Sequence, residues 1–437
     1  MENKKQYYVS MGILVLLFFI FGLVSWVNTI LIPYFKLTCQ LTVVESYLVT
    51  FAFNIAYLVM AIPSSFLLNR VGYKKGIMMG LWMMSLGALV FIPAAYLRAY
   101  GVFLTGLFML GIGLAILQSA ANPYISIIGP IDSAAKRLSI VGTGNKLAGI
   151  LANLVFAAVV IRESDRVLMA QIYAGAFSGE ALEQALDSLI QGVVFPYAVL
   201  SLFLFLFGLL VRFSPLPDID AGKVNASASE KREDRTSIFQ YPPILLGAVA
   251  LFCHVGTQMI ALATIINYAE TMGLGLDGPA KNFPSFTMSF TFIGYILGIL
   301  LIPKYVTQKT MLVLCTSLGL ILSFLVIFTH GEVTLMGMTT DVSICFLVLM
   351  GLPNALIYAG IWPLAIRGLG RFTNLGASLL VMMLCGNAIL PLIYGYFSDL
   401  YGMRQAYWVM VPCFAYMVFF ATIGHKIDSW TLKKRVR

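Results

Sequence analysis

The sequence predicts an all-α integral membrane protein of twelve transmembrane helices in two pseudo-symmetric six-helix bundles. Three observations carry that expectation. Of 437 residues, 60% are hydrophobic and only 11% charged, with a mean hydropathy of +0.90, whereas a soluble chain carries about 25% charged residues. The apolar residues fall into blocks near the roughly 20 residues that cross a bilayer as a helix. The cations are also unevenly shared between alternate loops, as the positive-inside rule requires.

Taken in order, the expected helices are 9–33, 44–69, 75–96, 101–128, 136–161, 189–213, 243–272, 283–303, 309–329, 340–369, 373–397 and 404–424. The N-terminal run MENKKQYYVSMGILVLLFFIFG has the charged end and apolar body of a signal peptide but no small-residue cleavage site, and reads as helix 1. With both termini cytoplasmic, 21 Lys and Arg lie inside. Six lie outside, namely Lys36, Arg98, Arg162, Arg166, Lys281 and Arg404, while Lys146 belongs to neither set. The net charge of +9 follows from that bias and suits an anionic inner leaflet, so no nucleic-acid partner is expected. The expected location is the inner (plasma) membrane.

Residues 1–213 and 242–437 form the two expected bundles, joined by a polar cytoplasmic linker at 214–241 that contains DIDAGKVNASASEKREDRTS and lacks apolar periodicity. A second polar stretch, Arg162 to Asp187, carries five acids and is expected to contain a short surface helix outside. The six cysteines are scattered singly without CxxC or metal-ligand spacing, which reads as helix packing. No nucleophile–base pair or metal cluster is visible, so neither catalysis nor a cofactor is expected.

One stretch stands out, Gly111 to Gly149. It places Gln118, the Asn122-Pro123 break and Lys146 inside two segments otherwise suited to lipid, and polar groups at such depth usually mark function. The pattern has a weak echo in the second half. Gln118 precedes Pro123 by five residues as Tyr358 precedes Pro363, and Asn145 and Asn387 follow those prolines by 22 and 24 residues.

Specific segments resemble a known family. NTILIP (Asn28 to Pro33), GYKKGIMMG (Gly72 to Gly80), FIPAA (Phe91 to Ala95), QSAANPYISIIGP (Gln118 to Pro130), the Arg137–Asn145 run and HVGTQ (His254 to Gln258) are similar to the fucose/glucose/galactose permease branch of the major facilitator superfamily. The resemblance implies the major facilitator fold and sugar transport by alternating access, with a site between the halves near the midplane. In proton-coupled members it also implies carboxylates in helices 1 and 4. Here Asn28 and Thr29 stand at the helix 1 position, Gln118 stands for the helix 4 Glu, and Gly142 replaces a family amide in helix 5, while Asn145 matches.

The acids themselves tell the same story. All 19 fall in loops, tails or helix ends, with Glu270 nearest to a membrane site. Buried carboxylates couple protons because desolvation brings their pKa toward neutrality, and amides cannot titrate. Lys146 lies about ten residues into helix 5, roughly 15 Å deep, where a lysine costs about 2.5–3.5 kcal/mol. It could be a fixed cation in a uniporter, a titrating carrier of the coupling proton, a partner for an anionic sugar such as a uronate, or a lysine that snorkels or bonds helix carbonyls. His254 is the other titratable group at depth, with an unperturbed pKa near 6.5, and otherwise an interhelical packing residue.

A neutral sugar needs donors and acceptors for its hydroxyls and an apolar face for its ring. The expected substrate-binding residues are therefore Asn28, Gln118, Asn122, Asn145, Gln258, Asn267, Asn387, Tyr358 and Trp26, with Tyr57, Tyr268 and Trp362 as further aromatics. Lys146, Thr29, His254 and Glu270 are the coupling or charge-substituting candidates. The expectation is a monomeric carrier of a neutral monosaccharide, such as glucose, galactose, fucose or an N-acetylated sugar. It would work as a uniporter or with coupling that uses no carboxylate. A cation-coupled symporter through Lys146 or His254, and a uronate transporter, stay open.

Overall fold

The computed structural model describes residues 2–41, 43–151, 167–169, 171–172, 174–216, 235–272, 283–335 and 338–430. By their contacts the residues form two compact units. Unit 1 comprises Met1–Ala121 with Gly144–Asp218, and unit 2 comprises Asn122–Thr143 with Ile219–Arg437.

Helices α1 (Glu2–Thr38), α2 (Val43–Leu97) and α3 (Tyr100–Ile127) open the chain, and α4 (Ala134–Leu151) follows a short 3-10 turn. At 1.5 Å per residue, the 55 residues of α2 would far exceed a bilayer. They break at Gly72 (φ 78°, ψ 171°), a conformation open to a residue without Cβ, so α2 contains the expected helices 2 and 3. The second leg of α2 packs closely on α3, since a Cβ added at Gly113 would lie 2.5 Å from the Gly80 carbonyl oxygen. Small residues let backbones approach where no hydrophobic force drives helices together in lipid.

The outer polar stretch contains α5 (Glu180–Gln191), the short helix expected there. It buries Leu186, Leu189 and Ile190, while Glu183 and Asp187 reach Arg98 at 2.6 and 3.1 Å. Residues 162–166 and most of the 214–241 linker lie outside the described residues. Unit 1 closes with α6 (Val194–Phe213).

Unit 2 contains α7 (Pro242–Ala263), which starts on two prolines that need no helical N–H partner there. It breaks at Thr264 and resumes as α8 (Ile265–Glu270). Then come α9 (Phe283–Leu301) and α10 (Gln308–Phe328), which Thr307 caps by accepting from the Thr310 N–H at 3.2 Å. A hairpin of β1 (Glu332–Leu335) and β2 (Met338–Asp341) pairs Glu332 with Asp341. Helix-length spans return with α11 (Val342–Leu349), α12 (Gly351–Ile366), α13 (Thr373–Met382) and α14 (Gly386–Tyr401), and then α15 (Met403–Ala406) and α16 (Met410–Thr422).

Among the described residues, ten stretches are long and apolar enough to cross a membrane. One of them, Phe51–Leu97, holds the Gly72 break, which divides it into two legs. The charge-bearing α4 is the remaining expected helix, described as far as Leu151. The expected helices 10, 11 and 12 are each interrupted, at Met350, Met383–Cys385 and Tyr407–Val409.

Candidate functional site

In unit 1, the AANP segment of α3 brings Gln118 to the first leg of α2. Its Nε2 donates to the Tyr57 hydroxyl at 3.3 Å, and both side chains are buried. On α4, Asn145 Nδ2 donates to the Phe18 carbonyl at 3.2 Å. The two helices meet closely, for a Cβ added at Gly22 of α1 would stand 2.4 Å from the Asn145 carbonyl oxygen. Half of the Asn145 amide is thereby used to fasten α4 to α1. The next residue, Lys146, is half-buried and has no hydrogen-bond or ion-pair partner among the described residues.

Unit 2 holds a denser polar cluster. Asn122 lies one turn beyond Gln118 on α3, fully buried, and its Nδ2 donates to the Tyr358 hydroxyl at 3.0 Å. Its Oδ1 is buried without a partner. Tyr358 sits on α12, with its ring 6.4 Å from the His254 ring of α7 and 5.9 Å from the indole of Trp362. Trp362 Nε1 and the Oδ1 of Asn354, one turn before Tyr358, are also buried without partners. An unsatisfied buried polar group costs about 1–3 kcal/mol, so this part of unit 2 keeps several hydrogen-bonding atoms at the expense of stability.

Other expected residues stand apart. Gln258 is half-buried one turn after His254, Asn387 is half-buried at the start of α14, and Asn267 is exposed on α8. Trp26, Asn28 and Thr29 lie on α1 and Glu270 ends α8, but their side chains are outside the described residues. Tyr268 is engaged in a polar knot instead. Its hydroxyl accepts from Arg404 Nε at 2.8 Å and meets Ser343 Oγ at 2.8 Å. Arg404 also pairs with Asp341 at 2.6 Å, donates to Ser343 Oγ at 3.1 Å and touches His330 Nδ1. Burial alone would push the Asp341 carboxyl up, but bonds from the Ser343 hydroxyl and amide and from Arg404 outweigh it and hold the group below its ordinary value.

Two residues escaped the sequence reading. Asn354 sits in an apolar run with no motif around it; its four-residue spacing from Tyr358 was the available signal. Arg137 reads as a loop cation, yet it is 1% exposed. Its guanidinium donates to the carbonyls of Ile125 (2.7 Å), Ser126 (2.8 Å) and Pro130 (3.0 Å) and to Ser133 Oγ (2.8 Å). It thus satisfies the carbonyls that the end of α3 leaves without helical partners. Gly142, where the resembled family has an amide, lies against Tyr295; a Cβ there would be 2.7 Å from the phenol ring.

Chemically, the arrangement offers buried amide, phenol and indole groups. Among the described residues no His/Cys/Asp/Glu group could hold a metal ion. Such a lining suits recognition of a hydroxylated, uncharged molecule. A profile described as Major Facilitator Superfamily matches residues 14–383.

The chain belongs to the Major Facilitator Superfamily. Within it, the chain falls in the fucose/glucose/galactose permease branch. It is 30% identical to a protein of Brucella abortus named "Glucose/galactose transporter", over 97% of this chain and 96% of that protein. It is 31% identical to an "L-fucose-proton symporter" of Escherichia coli, over 96% and 94% of the two chains. A crystal structure of the transporter FucP, in the outward conformation, superposes with a TM-score of 0.77 at 27% identity, covering 98% of this chain and all of that one (100%). The proton:xylose symporter XylE, at 13% identity and a TM-score of 0.63, shares the fold. The chain is therefore a multi-pass membrane transporter, not an enzyme.

Proposed function

We propose that this transporter carries a neutral monosaccharide of the hexose, fucose or N-acetyl-sugar class by alternating access, coupled to a cation without a membrane carboxylate. The observation that carries the reading is the buried amide–phenol pairing of Asn122 with Tyr358, repeated one turn away by Gln118 with Tyr57. Amides and phenols offer both donor and acceptor capacity to hydroxyls with no charge to desolvate. Relatives named for glucose, galactose and fucose at 30–31% identity point to the same substrate class.

The uniporter expected from the missing acids gives way here to a coupled mechanism, because one of those relatives is a proton symporter. With no acid expected at membrane depth from the sequence, Lys146 and His254 are the groups we assign to coupling. The positive-inside bias supports cytoplasmic termini in an inner membrane, and the chain acts as a monomer in this reading. Gln258 and Asn387 of unit 2, and Asn28 and Trp26 of unit 1, are further residues we assign to sugar binding.

The test is sugar uptake into proteoliposomes under an imposed proton or sodium gradient. Uphill accumulation that is lost in Lys146→Gln or in His254→Gln, while downhill exchange persists, is the expected result. Equal uptake with and without gradients would overturn the coupling and restore a uniporter. A second reading has its own support in Lys146, half-buried and without an ion-pair partner among the described residues. If the cargo is a uronate, Lys146→Gln abolishes binding of glucuronate or galacturonate; if it is neutral, hexose binding stays within about threefold of wild type, under 1 kcal/mol.

A further inference from the structure

We infer that Asn354 is a specificity-determining contact for one sugar hydroxyl, acting from the same face of α12 as Tyr358 and Trp362. The inference rests on the neutral-sugar reading above and adds a residue and a chemical preference to it. Asn354, Tyr358 and Trp362 recur every four residues. At 3.6 residues per turn each step advances roughly 40°, so the three form a narrow stripe.

The contacts of α12 fix which way that stripe faces. Ala365, on the same stripe, meets α7, for its Cβ lies 2.6 Å from a Cβ added at Gly247. The other faces are closed by small-residue packing: Leu352 and Ala355 against Gly294 of α9, and Gly360 against Leu312 of α10. Polar side chains of α12 are thus confined to the side toward α7, where His254 and Asn122 approach Tyr358.

Several buried polar groups in this unit close on their own helix, unlike Asn354, while Thr340 Oγ1 and Ser378 Oγ are buried without partners as well. Thr287, Thr291, Thr316 and Ser323 are equally buried, but each hydroxyl donates to a carbonyl of its own helix at 2.8–3.1 Å. Asn354 Oδ1, Asn122 Oδ1 and Trp362 Nε1 have no such outlet. Together they present two acceptors and a donor. That set takes O–H groups on the two amide oxygens and gives an N–H to a sugar oxygen. None of these groups carries a charge to pair with an anion, so the set favours uncharged hydroxyls.

The experiment measures binding of D-glucose, D-galactose, L-fucose and N-acetylglucosamine, together with the monodeoxy analogues of the tightest binder, to purified full-length protein and to Asn354→Ala. Wild type is expected to lose about tenfold in affinity for one deoxy analogue, near one hydrogen bond. Asn354→Ala is expected to bind the parent sugar about tenfold more weakly and to treat that analogue and the parent alike. If Asn354→Ala does not fold, Asn354→Ser, which keeps a hydroxyl acceptor on a shorter arm, is run through the same cycle. Should wild type bind none of the sugars, the neutral-sugar reading fails. Should wild type bind but every deoxy penalty persist unchanged in the variant, the assignment to Asn354 is overturned while that reading survives.

Discussion

Two polar clusters of unit 2 make opposite use of the same chemistry. In the knot around Arg404, the guanidinium reaches Asp341, Ser343, Tyr268 and His330, and Tyr268 and Ser343 also bond one another. Around Tyr358, by contrast, Asn122, Asn354 and Trp362 each keep a buried atom without a partner. A saturated network joins elements and resists change, because breaking any member strands the others. An unsaturated one destabilises the resting protein and is expected where a ligand completes it. The knot ties α8, β2, α11 and α15 together, whereas the stripe of α12 is the one we assign to substrate.

The largest expected effect tests the unsaturated side. Asn122→Leu removes an amide that we assign to the sugar, and hexose affinity is expected to fall between about tenfold and a hundredfold, one to two hydrogen bonds. Because the substitution removes both a buried oxygen without a partner and the bond to the Tyr358 hydroxyl, the two effects offset and the melting temperature in detergent should stay within about 4 °C of wild type. A marked loss of thermal stability would mean that Asn122 is a structural residue and would erase the contrast.

The saturated side is expected to respond the other way. Arg404→Met removes the guanidinium from Asp341 and Tyr268, which keep only their Ser343 bonds, and should lower unfolding stability by about 2 kcal/mol, while sugar affinity of the folded fraction holds. Thermal melting together with equilibrium binding on one preparation separates the two. Loss of binding at unchanged stability would place the knot in recognition after all.

The smallest effect is a pH dependence. Asp341 is held below its ordinary carboxylate value in the folded protein, so it binds a proton less readily folded than unfolded. Its contribution to stability is therefore present above the unfolded value, near 3.9, and is lost as pH falls through the folded one. Melting temperatures between pH 7 and pH 3 should fall more steeply for wild type than for Asp341→Asn below about pH 4. Parallel curves would show that the Arg404 pair adds no stability.

Much of this could be read before any coordinates. Gln118 and Asn122 were recognisable because amides in a lipid-suited segment are conspicuous, and both have a phenol hydroxyl as partner. Lys146 stood out for the same reason. Asn145 was equally visible, yet nothing in the sequence said that its Nδ2 would be used by the Phe18 carbonyl, and Tyr268 gave no sign of belonging to Arg404. The Met338–Asp341 strand was hidden because its last two residues were read as the start of helix 10 and its first two as the connection before it.

By itself the sequence determined the membrane class, the family and most of the apolar helices. Class and helices depend on local composition added along a window, and in lipid the backbone has little choice but to form helix. Tertiary structure decided which polar groups are satisfied and which are not. That depends on how each helix is turned toward its neighbours: Arg137 turns back onto the end of α3, while Asn354 turns with Tyr358 and Trp362 toward α7. Rotation about a helix axis is set by small-residue contacts such as Gly247 on Ala365, and those contacts form between segments distant in the chain.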